Sequence, residues 1–246
     1  MRILQLLSLL MDYPKTSLVE HLDDIKEIIE YSDLPLGQQL ALLEFVERRG
    51  CMDLIDWQAE YDGLFERGRS LGLWLFEHVH GESRDRGQAM VELIAKYKEA
   101  NLQLDRHELP DYIPLFLEFL STQGRDNAKL WLCEVAHILA LLQCRLERRG
   151  SNYSVLFDAL LEFSAADIDI DEIRQQVASE KRDDSKKAID KEWEEEEVSF
   201  GADSIDKACE QANRKPSQSQ RKDLDVPLNW VGFNDYHDAA EEGAKQ

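Results

Sequence analysis

From the N-terminus to Phe163, apolar side chains recur at the three-to-four-residue spacing of helices, and no stretch alternates apolar and polar residues as a half-buried strand does. That pattern confines the chain to an all-α fold. Ser17 and Glu20 are spaced as a capping box ahead of Leu22, Ile25, Ile28 and Ile29, and Pro35 opens a helix that closes at Arg48, Arg49 and Gly50. Asp53 is placed to cap a helix with Trp57, Tyr61, Leu64 and Phe65 on one face. This aromatic stripe reads as core, with the Tyr61 hydroxyl at a groove edge as the alternative.

Further helices are expected up to Asn101, from Asp111 as N-cap with Pro114 in the first turn, from Asn127 to Arg149, and over Tyr153–Phe163. Cys133 and Cys144 fall among apolar residues of the third of these and read as buried thiols. The four cysteines, Cys51, Cys133, Cys144 and Cys209, form no zinc or disulfide framework. The first helix, MRILQLLSLLM, is interrupted by Gln5 and Ser8, lacks a small-x-small cleavage site and is too short to span a bilayer, so a mostly buried helix stopped by Pro14 and a cytoplasmic protein are expected.

Three segments emerge: an all-helical domain over 1–165, a short helix near Asp171–Ser179 with an acidic arm around Trp193 over 166–200, and a polar, disordered tail over 201–246. Fifty acidic against twenty-nine basic residues leave a formal charge of −21. Such a surface repels phosphate backbones and anionic lipid, which excludes nucleic acid and membrane as partners and favours basic peptides. Nucleotide-binding glycine motifs are absent from the sequence.

The segment Leu73–Met90 holds the densest chemistry. Behind the apolar run Leu73–Phe76 come Glu77, His78, His80, Glu82, Arg84, Asp85 and Arg86, set around Gly81 and Ser83 at the entrance of the next helix. Three readings stand side by side. The charges pair with one another and cap the helix. Alternatively, His78 and His80 with Glu77 or Glu82 form a metal-dependent hydrolase site. In the third, the cluster is a recognition surface for another polypeptide.

The motifs Tyr61–Leu64–Phe65–Arg67–Gly68–Arg69, LFEHVHGESRDRGQAM at Leu75–Met90, Glu108–Leu109–Pro110–Asp111 with Pro114–Leu115, and Trp193–Glu194–Glu195–Glu196 resemble the NarJ-type nitrate reductase assembly chaperones, part of the TorD-like group of redox-enzyme maturation chaperones. The likeness covers roughly residues 1–200. It implies a single TorD-like helical bundle, without catalysis and without a cofactor of its own. Such a chaperone binds the N-terminal segment of the apo catalytic (alpha) subunit of respiratory nitrate reductase, supports molybdenum cofactor insertion, and is absent from the mature enzyme. Molybdenum cofactor biosynthesis proteins are further candidate partners, and a structural adaptor is the remaining rival. Carried over by position, the resemblance implies a client site with Tyr61, Phe65, Leu73, Leu75 and Phe76 as apolar surface. Glu77, His78, His80, Glu82, Arg84, Asp85 and Arg86 would form its polar rim, closed by Asp111, with histidine protonation tuning affinity near neutral pH.

Overall fold

The computed structural model describes residues 1–80, 84–104, 108–181, 183 and 190 and, of His80 and Arg84, the backbone alone. All of them belong to one compact unit, Met1–Glu195. Among the described residues the elements are α1 (Arg2–Met11), α2 (Thr16–Glu20), α3 (Leu22–Glu30), α4 (Leu36–Gly50), α5 (Leu54–Tyr61), a π-helical turn (Asp62–Glu66), a 3-10 turn (Arg69–Leu71), α6 (Leu75–His80), α7 (Arg84–Glu99), α8 (Ile113–Thr122), α9 (Arg125–Arg148), α10 (Ser154–Ser164) and α11 (Ile170–Ser179). The fold is all-α. Its only extended pairing among these residues is an isolated antiparallel bridge, Trp74 to Tyr112.

The long helix α9 is the spine, with α10 and α11 packed along it, while α1 lies against α8 and α3. Helix α1 is buried through Leu4, Leu6, Leu7, Leu10 and Met11. Its Ser8 hydroxyl donates to the Pro114 carbonyl at 2.6 Å, and the chain's amino terminus donates to the Ser121 carbonyl, so both ends of α8 are tied to α1. Pro114 sits in the first turn of α8, where its missing N–H has no intrahelical partner to lose.

Short-range capping signals divide into those that formed and those that did not. Asp53 accepts the Ile55 N–H at 2.8 Å, as its position requires. The Ser17–Glu20 box does not form: α2 and α3 are separate helices broken at His21, whose ring hydrogen-bonds the Ser17 carbonyl at 2.8 Å. Cys144 is buried, but Cys133 is exposed, its thiol near the Ser164 carbonyl at 3.3 Å. A helical position that faces the end of a neighbouring helix can look apolar in sequence and still meet solvent. Cys209, the arm around Trp193 and the 201–246 tail lie outside the described residues.

Helix α11 joins the body through two ion pairs following it, Arg145 to Glu180 at 2.7 Å and Arg149 to Asp183 at 2.5 Å. Where α9, α10 and α11 meet, burial pushes the Asp158 carboxyl up to about 6, helped by Glu147 and opposed by a Gln143 hydrogen bond and Arg174. A carboxyl whose pKa is higher folded than unfolded prefers to fold protonated, so its cost is absent below the unfolded pKa and complete once pH exceeds the folded one. Between about pH 4 and pH 6 the urea midpoint should therefore carry a contribution from Asp158 that falls as pH rises, and Asp158→Asn should remove that contribution while adding about 1–2 kcal/mol at the upper end. A variant slope equal to that of the wild type would exclude Asp158 as its source.

Candidate functional site

The structure redistributes the residues expected at the client site. Tyr61, Phe65, Leu73 and Leu75 are not surface: none exceeds 2% exposure. The reason lies in chain pairing that sequence spacing does not display. Ile113 donates its N–H to the Leu73 carbonyl at 2.8 Å and Leu75 donates to the Asp111 carbonyl at 3.0 Å, so residues 73–75 run as a short extended segment with Leu73 and Leu75 directed inward. Phe76 is half-buried, Glu77, His78 and Arg86 are partly exposed, and Asp85 is exposed. Glu82 and Ser83 lie outside the described residues, as do the side chains of His80 and Arg84.

Asp111 serves a different helix from the one expected. The residue before α8 is Tyr112, and Asp111 is fully buried with its Oδ2 accepting the Phe76 N–H at 3.1 Å, which caps α6 from a distant part of the chain. Burial pushes its carboxyl above the ordinary range, against the pull of the Phe76 N–H and the Arg86 guanidinium 3.9 Å away. Its Oδ1 has no hydrogen-bond partner among the described residues.

His78 is equally constrained. One ring nitrogen, Nε2, lies 2.8 Å from the Gly72 carbonyl, so it carries the proton, and Nδ1 accepts from Arg145 Nη1 at 3.5 Å. Burial lowers its pKa, so the ring is neutral and the expected affinity switch near neutral pH is not placed at this histidine. With both nitrogens engaged it is also no ready metal ligand, and among the described residues no group of three His, Cys, Asp or Glu side chains converges on a metal position.

Exposed apolar side chains are spread over several helices, Val79 of the expected segment among them, and those on α1 border two cavities. A cavity of about 620 Å3 is lined by Leu9, Leu104, Pro114 and Leu115 with Asp12, Glu108 and Glu118 among its polar residues. A second, of about 510 Å3, is lined by Leu6, Leu9, Leu18, Ile25 and Ile28 with Asp12 and Asp24. Both include Gln5, Leu9, Asp12 and Lys15, so together they make one trough straddling the outer edge of α1. Leu9 stands on that edge at 56% exposure, and Tyr13 follows it at 38%. None of the expected client-site residues lines the trough, although one touches its wall from behind. The Tyr61 hydroxyl faces Tyr112 Oη at 3.2 Å, and Tyr112 donates to Asp12 Oδ1 at 3.2 Å. A signal for this surface was present in the sequence: Arg2, Gln5 and Leu9 share the outward stripe of α1, and the leucine there is surplus to the core.

The profile of the family described as nitrate reductase delta subunit matches residues 31–159. Over 201 residues the chain is 48% identical to the nitrate reductase molybdenum cofactor assembly chaperone NarJ of Escherichia coli strain K12, covering 81% of this chain and 85% of that protein. The chain belongs to the nitrate reductase delta subunit family. A second relative in the same strain, named as a probable nitrate reductase molybdenum cofactor assembly chaperone, NarW, is 47% identical over 95% of this chain and 98% of its own length. A probable NarJ of Bacillus subtilis strain 168 is 28% identical over 63% of this chain and 84% of its own. The delta subunit match spans α4 through α9, and with them the Leu73–Asp111 junction and the buried aromatic stripe, and begins after α1. No described helix of this family member is long and apolar enough to cross a membrane.

Proposed function

We propose that this chain is an assembly chaperone for a respiratory nitrate reductase. It holds the unfinished catalytic subunit by that subunit's N-terminal segment in the cytoplasm, while molybdenum cofactor is inserted, and it leaves before the enzyme is mature. The observation that carries the reading is the 48% identity across 201 residues to a protein named for that task. The role is one of binding, with no catalytic step assigned to any side chain; contacts with the machinery that makes the cofactor belong to the same proposal.

The trough along α1 is the surface best suited to the client. An amphipathic helix presents an apolar stripe and a polar edge; Leu9, Leu18, Ile25 and Ile28 meet the first, while Asp12, Asp24, Glu108 and Glu118 answer basic residues on the second. Glu77, His78 and Arg86 line a different cavity, which the α1 surface does not include.

Leu9→Asp tests this placement without touching the core, because the side chain is more than half exposed. Binding of a peptide copying the client's N-terminal residues, followed by calorimetry, should weaken about tenfold or more, with the unfolding midpoint nearly unchanged. Unaltered affinity would move the client away from α1. In cells lacking the chain, the catalytic subunit should accumulate in normal amount yet be poor in molybdenum and inactive; a fully loaded subunit would end the chaperone reading itself.

A further inference from the structure

On a chain of formal charge −21, one cavity gathers cations. Arg69, Arg86 and Arg145 line a space of about 450 Å3 together with Ser70, Glu77 and His78. Guanidinium groups held together in a partly dry space repel one another, and the arrangement is stable only when anions answer it.

Glu77 lies within the cavity and Asp111 stands 3.9 Å from Arg86, while two more anions answer the arginines at the cavity's edge, both from the residues after α11. Glu180 takes Arg145 in a two-pronged grip, Nε to Oε2 at 2.9 Å and Nη2 to Oε1 at 2.7 Å, while Arg145 Nη1 donates to the Ser70 carbonyl at 2.8 Å. Asp183 is held more fully. Its Oδ2 accepts the Ser70 N–H at 2.9 Å, and its Oδ1 accepts the Ser70 hydroxyl at 2.8 Å and Arg149 Nη2 at 2.5 Å. Gly68 makes this approach possible, since a Cβ there would stand 2.7 Å from Oδ2. Partial burial opposes ionisation of Asp183, yet Ser70 and Arg149 keep its carboxyl below the ordinary range.

The two sides of these pairs differ in how firmly they are built. Arg145 and Arg149 are 16% and 10% exposed and rise from the spine helix and its end, whereas both carboxylates are 26% exposed. The cationic cradle is therefore the fixed part and the carboxylates the displaceable one. Arg86 adds a further donor, because its Nε is buried without a hydrogen-bond partner among the described residues.

We propose that this cavity is a binding site for a small phosphate-bearing ligand, gripped by Arg86 and Arg145 with Ser70 and Arg149 at its edge, and that Glu180 and Asp183 are built-in competitors for it. A tetrahedral dianion offers planar guanidinium forks more acceptor oxygens than one carboxylate does. The volume falls in the range of small-molecule sites, about 300–1,000 Å3. The assignment goes beyond the chaperone reading and stands independently of any client peptide on α1.

Inorganic pyrophosphate, titrated into the full-length protein at constant ionic strength, is the probe. The double variant Glu180→Gln/Asp183→Asn should bind it about tenfold tighter than wild type, with the Ser70 amide among the resonances that shift. A gain of this kind cannot come from misfolding. Arg86→Ala in that background should abolish it, while the client peptide still binds. No saturable binding by the double variant, or binding indifferent to Arg86 in a variant that retains its helical signal, would overturn the site.

Discussion

Arg49→Ala should cost the domain about 3–5 kcal/mol, read as a drop in urea midpoint, because it empties the box at the centre of the fold and strands a charge. The guanidinium is 1% exposed. It donates to Glu60 Oε2 and Oε1 at 2.6 and 2.9 Å and to Asn152 Oδ1 at 2.5 Å, and its flat faces meet Phe45 at 4.9 Å and Tyr153 at 4.7 Å. One side chain thus joins the end of α4, the face of α5 and the turn into α10. Domains of this kind are stable by only about 5–15 kcal/mol, so the variant should be partly unfolded at working temperature. Arg49→Lys keeps the charge but loses the fork and the stacking, and should still lose about 1–3 kcal/mol. Arg49→Met with Glu60→Gln restores bulk without a buried charge and should recover much of the loss. A loss for Arg49→Ala below about 1 kcal/mol would show that the box is held by its aromatic rings alone.

That arginine also marks how far the sequence can be read. Its place beside Arg48 and Gly50 signals a helix end, which is correct, but the signal is local and says nothing of Asn152 or Tyr153 some hundred residues on. The same division runs through the chain. Helix positions, the Asp53 cap and the handover from α9 to α10 depend on neighbours in sequence, and these follow from periodicity and caps. Asp111 carries the residue type of an N-cap and does cap a helix, yet the helix is α6, because the pairing of residues 73–75 with 111–113 delivers it there. The trough we propose for the client is apolar with acid beside it, the chemistry expected of such a surface, and it lies along α1. The motif residues that resemble the chaperone family are instead largely those that hold the helices together. A motif marks where substitution is costly, and burial is one source of cost that sequence alone does not separate from binding.

Tyr61 makes that separation measurable. Its ring packs on Phe65 at 4.9 Å and meets Tyr13 edge-on at 5.5 Å, and its hydroxyl donates to the Met11 carbonyl at 3.0 Å, where α1 ends. Burial raises the phenol far above its ordinary pKa, so it remains a neutral donor at every working pH. Tyr61→Ala should therefore cost about 3–5 kcal/mol of stability, comparable to other buried aromatic truncations. Tyr61→Phe keeps the ring, leaves the Met11 carbonyl without its donor and should lose about 1–3 kcal/mol. Client-peptide affinity of the folded Phe variant should stay within about twofold of wild type, because Tyr61 lines neither cavity itself and meets the trough through Tyr13, whose ring contact the Phe variant keeps, and through Tyr112. A tenfold loss of peptide affinity at unchanged stability would reverse the assignment, since a ring that binds without supporting the fold has to reach the client in a conformation where α1 has moved aside.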